Sequence, residues 1–208
     1  MRAGGLIQAL CSSLWRNLKR EWLMSSELQD LFRADRDERT NHPDYGTPEY
    51  WALRERDAER RKRLQSIVES GRLKKPEDYY YAAWILNHGE SVEEIWQAHI
   101  LAKKAAELGF RQARWLAAAT YDRWLMYQGK PQKYGTQIVP DGKKQRVWDV
   151  ESATSDAERA EWDVPSLAEM ERRAEEVTRS EPMPPMDTAP EWLKDALLRW
   201  RAKDEGRA

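Results

Sequence analysis

The sequence predicts a mainly α fold, a helical-hairpin (repeat-like) core that carries one β-hairpin near residues 132–150. Three observations lead there. Apolar residues recur at helical spacing in one segment after another, each opened by a capping residue and closed by glycine or proline. One stretch breaks that pattern: Tyr134–Val139 and Gln145–Val150 are richer in β-branched and aromatic residues and flank Pro140-Asp141-Gly142, a hairpin-turn signal. Charged residues make up 34% of the chain and hydrophobic ones 40%, the balance of a helical protein with a salt-bridged surface.

The elements follow in order. Leu6, Leu10, Leu14 and Leu18, with Trp15 and Trp22 nearby, form one apolar helix face in search of a partner. Ser26 and Gln29 make a capping box for a short helix through Asp35 and Arg39, and residues 40–46 are turn chemistry. Thr47-Pro48-Glu49 combines a cap, a pre-set φ and an acid at the positive end of the dipole, so a helix runs from there to Ser70 and stops at Gly71. Pro76-Glu77-Asp78 opens the next helix, which Gly89 closes. Ser91 with Glu94 caps a helix ending at Gly109, and another runs from Arg111 to Gln128. Beyond the hairpin, Ser155 with Glu158 and Ser166 with Glu169 start two further helices. The prolines of 181–187 form a semi-rigid spacer, and Pro190-Glu191-Trp192 opens a last amphipathic helix. Residues 1–180 therefore read as a single helical domain including the β-hairpin. Residues 181–208 read as a spacer and a C-terminal helix that packs in cis or in a homodimer, as the N-terminal helix also does.

Composition excludes several classes. Thirty-five Lys and Arg stand against thirty-six Asp and Glu, a net charge of −1 that argues against a nucleic-acid coat and a polybasic membrane binder. One cysteine, Cys11, rules out an internal disulfide framework and multi-cysteine metal sites. No run reaches the roughly 18–20 apolar residues of a membrane span, and the first residues lack a signal-peptide pattern, so a cytoplasmic location is expected. Charge is uneven: Ala52–Lys75 carries net +5 and Asp149–Glu181 net −7. These are expected to be solvated faces that attract each other or meet across a dimer. The eleven tryptophans, beside two phenylalanines, are expected in core and helix-packing positions.

The segment Trp96–Gly109, continued by Ala113 and Leu116-Ala117-Ala118-Ala119, resembles one unit of the tetratricopeptide-type helical-hairpin repeats, with small residues at close-packing positions and a glycine at the turn. A turn at Gly109-Phe110 sets His99 level with residues 120–123, which makes Asp122 and Arg123 candidates to meet it across the hairpin. His88, Gln132, Tyr134, Thr136 and Gln137 complete a candidate polar cleft between hairpin and ribbon. A neutral histidine beside an aspartate is a competent general base, and arginine, glutamine and tyrosine can hold a carboxylate or phosphate. His88, His99 and Asp122 lack metal-ligand spacing, so no metal and no cofactor is expected.

These residues also resemble an uncharacterised, mainly bacterial helical family. Its marks are Asp-x-x-x-Arg (Asp35 to Arg39), His-Gly (His88-Gly89), Asp-Arg (Asp122-Arg123) and Gln-x-Tyr/Phe-Gly-Thr-Gln (Gln132 to Gln137), with a histidine at the place of His99 and a later match over Thr154–Leu167. The resemblance implies a shared fold and a shared polar site. The leading expectation is a ligand- or partner-binding module, taking a protein partner or a small polar ligand through His88, Arg123, Gln132, Tyr134, Thr136 and Gln137. The alternative is a small metal-independent hydrolase or transferase with His99 and Asp122 as base pair. A purely structural role for the cluster stands beside both.

Overall fold

The computed structural model describes residues 27–44, 46–187 and 189–205. The expected N-terminal helix with Cys11, and Ser26 of the first capping box, lie outside the described residues. Among the described residues the chain forms eight helices and one two-stranded ribbon. Residues 27–40 form α1, followed by α2 (Pro48–Glu69), α3 (Pro76–Leu86), α4 (Val92–Glu107) and α5 (Gln112–Tyr127). The ribbon strands are β1 (Ile138–Pro140) and β2 (Gln145–Val147). Then come α6 (Asp156–Glu161), α7 (Leu167–Ser180) and α8 (Glu191–Asp204).

Local chemistry explains most of the boundaries. The Thr47 hydroxyl accepts the Tyr50 N–H with Pro48 at the first helical position, and Ser91 and Glu94 form a reciprocal capping box. Ser155 and Ser166 cap α6 and α7 through the N–H groups of Glu158 and Glu169. Gly109 adopts φ +93 between α4 and α5, and Phe110 N–H bonds back to the Ala105 carbonyl, folding the two helices antiparallel. Ala98, Ala102 and Ala105 of α4 and Ala113 and Ala117 of α5 are fully buried, which lets the backbones approach closely. α3 departs from expectation: it ends at Leu86, three residues before Gly89.

Two apolar cores and a smaller cluster of Ala118, Tyr134 and Val164 result. The larger one joins Leu28 and Phe32 of α1, Leu64 and Ile67 of α2, and Ile85 and Leu86 of α3 with the inner faces of α4 and α5. The second lies under the ribbon, where Trp148, Val139 and Met126 meet Leu193, Ala196, Leu197 and Trp200 of α8. α8 thus takes the packing in cis, and the Trp200 indole N–H bonds Asp149 Oδ1 at 2.8 Å. The tryptophans divide: Trp148 is fully buried, while Trp51, Trp96 and Trp115 remain substantially exposed.

One expectation is corrected. The ribbon is shorter than the sequence suggests, pairing Ile138 with Val147, Val139 with Arg146 and Pro140 with Gln145. Residues 134–137 are drawn away from β1 by contacts with α5 described below. Among the described residues no ion pair joins the two charge-rich segments within the chain. α2 pairs locally with α1 and the α4 entrance, through Arg56–Glu38, Arg63–Glu27, Arg54–Glu90 and Arg61–Glu94. Within α7, Glu169 pairs with Arg172 and Arg173 and Glu175 with Arg179. Among the described residues no helix is long and apolar enough to cross a membrane.

Candidate functional site

The expected polar residues separate into three settings, dictated by which face of a helix each occupies. Asp122 lies on the face of α5 that looks toward the 128–137 loop. Its Oδ1 accepts the N–H groups of Lys133 (2.8 Å) and Tyr134 (2.9 Å), and its Oδ2 accepts the Thr136 N–H (2.9 Å) and hydroxyl (2.8 Å). Gln132 is fully buried; its amide donates to the carbonyls of Gln137 and Trp148 and accepts the Gln137 N–H. The Gln137 amide in turn donates to the Ala119 carbonyl and the Thr136 hydroxyl. Tyr134 is buried between the rings of Tyr121 and Trp162, and its carbonyl accepts from Arg159. Gly135, at φ +86, makes the sharp bend that lets the N–H groups of Lys133, Tyr134 and Thr136 face one carboxylate. Burial pushes the Asp122 carboxyl up from the usual range, against the pull of its four donors. Asp122, Gln132, Thr136 and Gln137 therefore form a closed joint between α5 and the ribbon, with the ordinary capacity of their side chains spent on backbone and on each other. Arg159, 3% exposed, locks the outer side through the Tyr134 and Thr154 carbonyls. Sequence reasoning missed its role; an arginine in the first turns of a capped helix beside an acidic stretch reads as surface.

His99 occupies the second setting. The imidazole meets Tyr121, inside the expected window of 120–123, at 5.1 Å between ring centroids, while its Nδ1 lies 2.9 Å from the carbonyl of Ala117, one turn nearer the bend. Asp122 is one residue, about 100°, beyond Tyr121 around α5, which turns it to the opposite task. The His99–Asp122 couple is thus not joined. His99 instead belongs to an aromatic strip with Trp96, Tyr121 and Trp124. Burial holds its imidazole below the usual range.

The third setting holds the reactive-looking geometry. His88, at the α3–α4 turn, places Nδ1 2.9 Å from Asp35 Oδ1 of α1, and Asp35 is 1% exposed. That oxygen also accepts the Trp84 indole N–H at 3.1 Å, and the histidine meets it off the direction of a full hydrogen bond. Around the pair run Arg39, Asp57 and Arg60: Asp57 accepts from Arg39 and Arg60 at 2.6 Å each and from Arg54 at 3.1 Å. Burial alone would raise the Asp57 carboxyl, but the hydrogen bonds and charges of Arg39 and Arg60 hold it below the usual carboxylate range. Burial likewise pulls His88 below its usual range, against the opposing pull of Asp35. Asp57, Arg54 and Arg60 were legible only as part of a basic helix; their spacing of three along α2 was the available signal.

Arg123 bridges the settings. Its Nη1 donates to the Asn87 carbonyl at 2.6 Å and its Nε to Gln137 Oε1 at 3.1 Å, tying the α3–α4 turn to the joint below the ribbon. The structure thus brings His88 and Arg123 into one neighbourhood with Asp35 and Arg39, links Gln137 to it by one bond, and leaves His99 on another face. Among the described residues no three His, Cys, Asp or Glu side chains converge as a metal site requires. Compared with protein-family models, curated proteins and solved structures, the chain matches none.

Proposed function

We propose that the chain is a binding module that takes a small polar ligand where α1, α2 and the α3–α4 turn meet. The observation that carries this reading is the gathering there of five buried polar atoms that lack a well-aligned hydrogen bond, Asp35 Oδ2, Arg39 Nε, Arg60 Nε, Asn87 Oδ1 and His88 Nδ1, although Asp35 Oδ2 lies 3.7 Å from Arg60 Nε and His88 Nδ1 lies 2.9 Å from Asp35 Oδ1. Each such group costs about 1–3 kcal/mol when left unpaired, and folded proteins carry few of them. Donors and acceptors are mixed, and the arginine and aspartate charges largely cancel. The complement is a ligand that both gives and receives hydrogen bonds rather than a bare anion. The side chains of Arg54, Arg39 and His88 are 22%, 18% and 16% exposed, so the rim of the cluster reaches the surface while the five atoms lie beneath it.

A second reading rests on the 2.9 Å approach of Asp35 to His88 Nδ1. A carboxylate there fixes the ring and leaves Nε2 to act as a base, the core of a metal-independent hydrolase or transferase. We also read the chain as a member of the helical family marked by its Asp-x-x-x-Arg, His-Gly, Asp-Arg and Tyr-Gly-Thr-Gln motifs, acting in the cytoplasm. In support, Asp35, Arg39 and His88 from two of those motifs share one cluster, and the other two motifs interlock through Asp122 and Thr136.

A thermal-shift screen of small polar metabolites on the full chain, repeated on His88→Ala and Asp35→Asn, tests the proposal. The expected result is a compound that raises the melting temperature of the parent and leaves both variants unmoved. A panel that shifts parent and variants alike, or none of them, overturns it. Turnover of a hit that disappears in His88→Ala decides for the second reading.

A further inference from the structure

We infer that the cleft between the start of α2, the ribbon and the proline-rich segment is a separate ligand site, shaped for an organic ammonium ion with an apolar body. It encloses about 370 Å³, within the range of small-molecule sites. Its walls are Tyr50 and Trp51 of α2, Ile138 of β1, Met186, Leu193 of α8, and the prolines between 182 and 190. None of these residues belongs to the polar cluster around His88, so the two sites stand or fall independently.

Charge selects the ligand class. Among the described residues Glu181 is the one charged residue in the lining. It caps the C-terminus of α7, a 14-residue helix whose last carbonyls add partial negative charge at that point. Its carboxylate has no side-chain partner among the described residues. The nearest cation along the chain, Arg179, lines a different cleft with Lys144 and Arg146 and pairs with Glu175. An anion entering here would meet only repulsion. A cation would find a carboxylate, a helix C-terminus and aromatic faces.

The aromatic faces complete the match. The rings of Tyr50 and Trp51 meet edge-on at 5.2 Å, and Trp51 is 53% exposed, the most of any described tryptophan. A large ring held at the mouth of an apolar cleft, with a carboxylate in the same lining, is the pattern by which proteins hold alkylammonium groups through cation–π attraction. The apolar body would lie against the prolines, Met186 and Leu193.

Titration calorimetry of the full chain with 4-phenylbutylamine and with its neutral counterpart 4-phenylbutan-1-ol tests the assignment. The amine should bind about tenfold more tightly than the alcohol, the scale of a partly desolvated cation–π contact. Glu181→Gln should bring the two within twofold of each other. Trp51→Ala should weaken the amine at least fivefold while the circular dichroism stays that of the parent, since both side chains are exposed. Equal binding of amine and alcohol to the parent, unchanged amine affinity in Glu181→Gln, or no binding of either compound overturns the inference.

Discussion

At His99 the imidazole is wedged between Trp96 and Tyr121 and gives its Nδ1–H to the Ala117 carbonyl; burial, which outweighs that bond's preference for the protonated ring, selects the neutral one. Burial lowers its affinity for a proton, and the same holds for His88. In the unfolded chain both rings take up a proton near pH 6.5; in the fold they do so only at lower pH. As pH falls through 6.5 the unfolded state binds protons first, so stability is complete above that value and declines below it. Urea unfolding at pH 7.5 and at pH 5 should show the decline, and His99→Gln, which keeps a donor for Ala117, should flatten it. An equal decline in parent and variant would mean that His99 titrates alike in both states. The two histidines differ in what opposes burial: a carboxylate, Asp35, at His88 and a backbone carbonyl, that of Ala117, at His99.

At the scale of elements, the attachment of the ribbon to α5 is an electrostatic clasp. Two strands of three residues are marginal by themselves, and Asp122 holds the loop leading into them through three N–H groups and a hydroxyl. Asp122→Asn keeps the shape but presents an amide N–H₂ to donors. It should cost about 2–4 kcal/mol in denaturant unfolding; a loss under 1 kcal/mol would show that Gln132 and Arg159 suffice without it. Elements of this kind were partly legible in the sequence. Thr47-Pro48, Ser91 with Glu94, Ser155 and Ser166 announced their helices because a cap and its target are neighbours in the chain. The polar site was not, because its members meet over long separations: Trp84 reaches Asp35 and Arg123 reaches Asn87 across helices whose rotation the sequence leaves open. Sequence reasoning joined His99 to Asp122, where the fold sets His88 beside Asp35. Gly89 shows the same limit. It reads as a helix stop, yet its role is steric: a Cβ there would come within 2.7 Å of Glu94 Cβ and 2.9 Å of the Leu86 carbonyl.

Over the whole molecule the two cores are joined by α5, which contributes Leu116 and Ala117 to one and Met126 to the other. The second core depends on α8, because without Leu193, Ala196, Leu197 and Trp200 the fully buried Trp148 would face solvent. The C-terminal segment is therefore structural even though a proline-rich spacer separates it from α7. A chain ending at Ser180 should lose the cover of the ribbon while retaining the Asp122 clasp, which lies on the α5 side. The expected outcome is a red-shifted tryptophan emission from Trp148 and a lower denaturant midpoint, with helicity reduced by little more than α8 itself. Trp200→Ala in the full chain isolates one contact of that interface, the packing of its ring on Trp148 and its bond to Asp149, and should cost about 3–5 kcal/mol. If the shortened chain unfolds at the parent's midpoint with unchanged emission, α8 is an appendage and the ribbon is held by α5 and α7 alone. If it loses the α4–α5 hairpin as well, the two cores form one cooperative unit, with α5 as the element through which they unfold together.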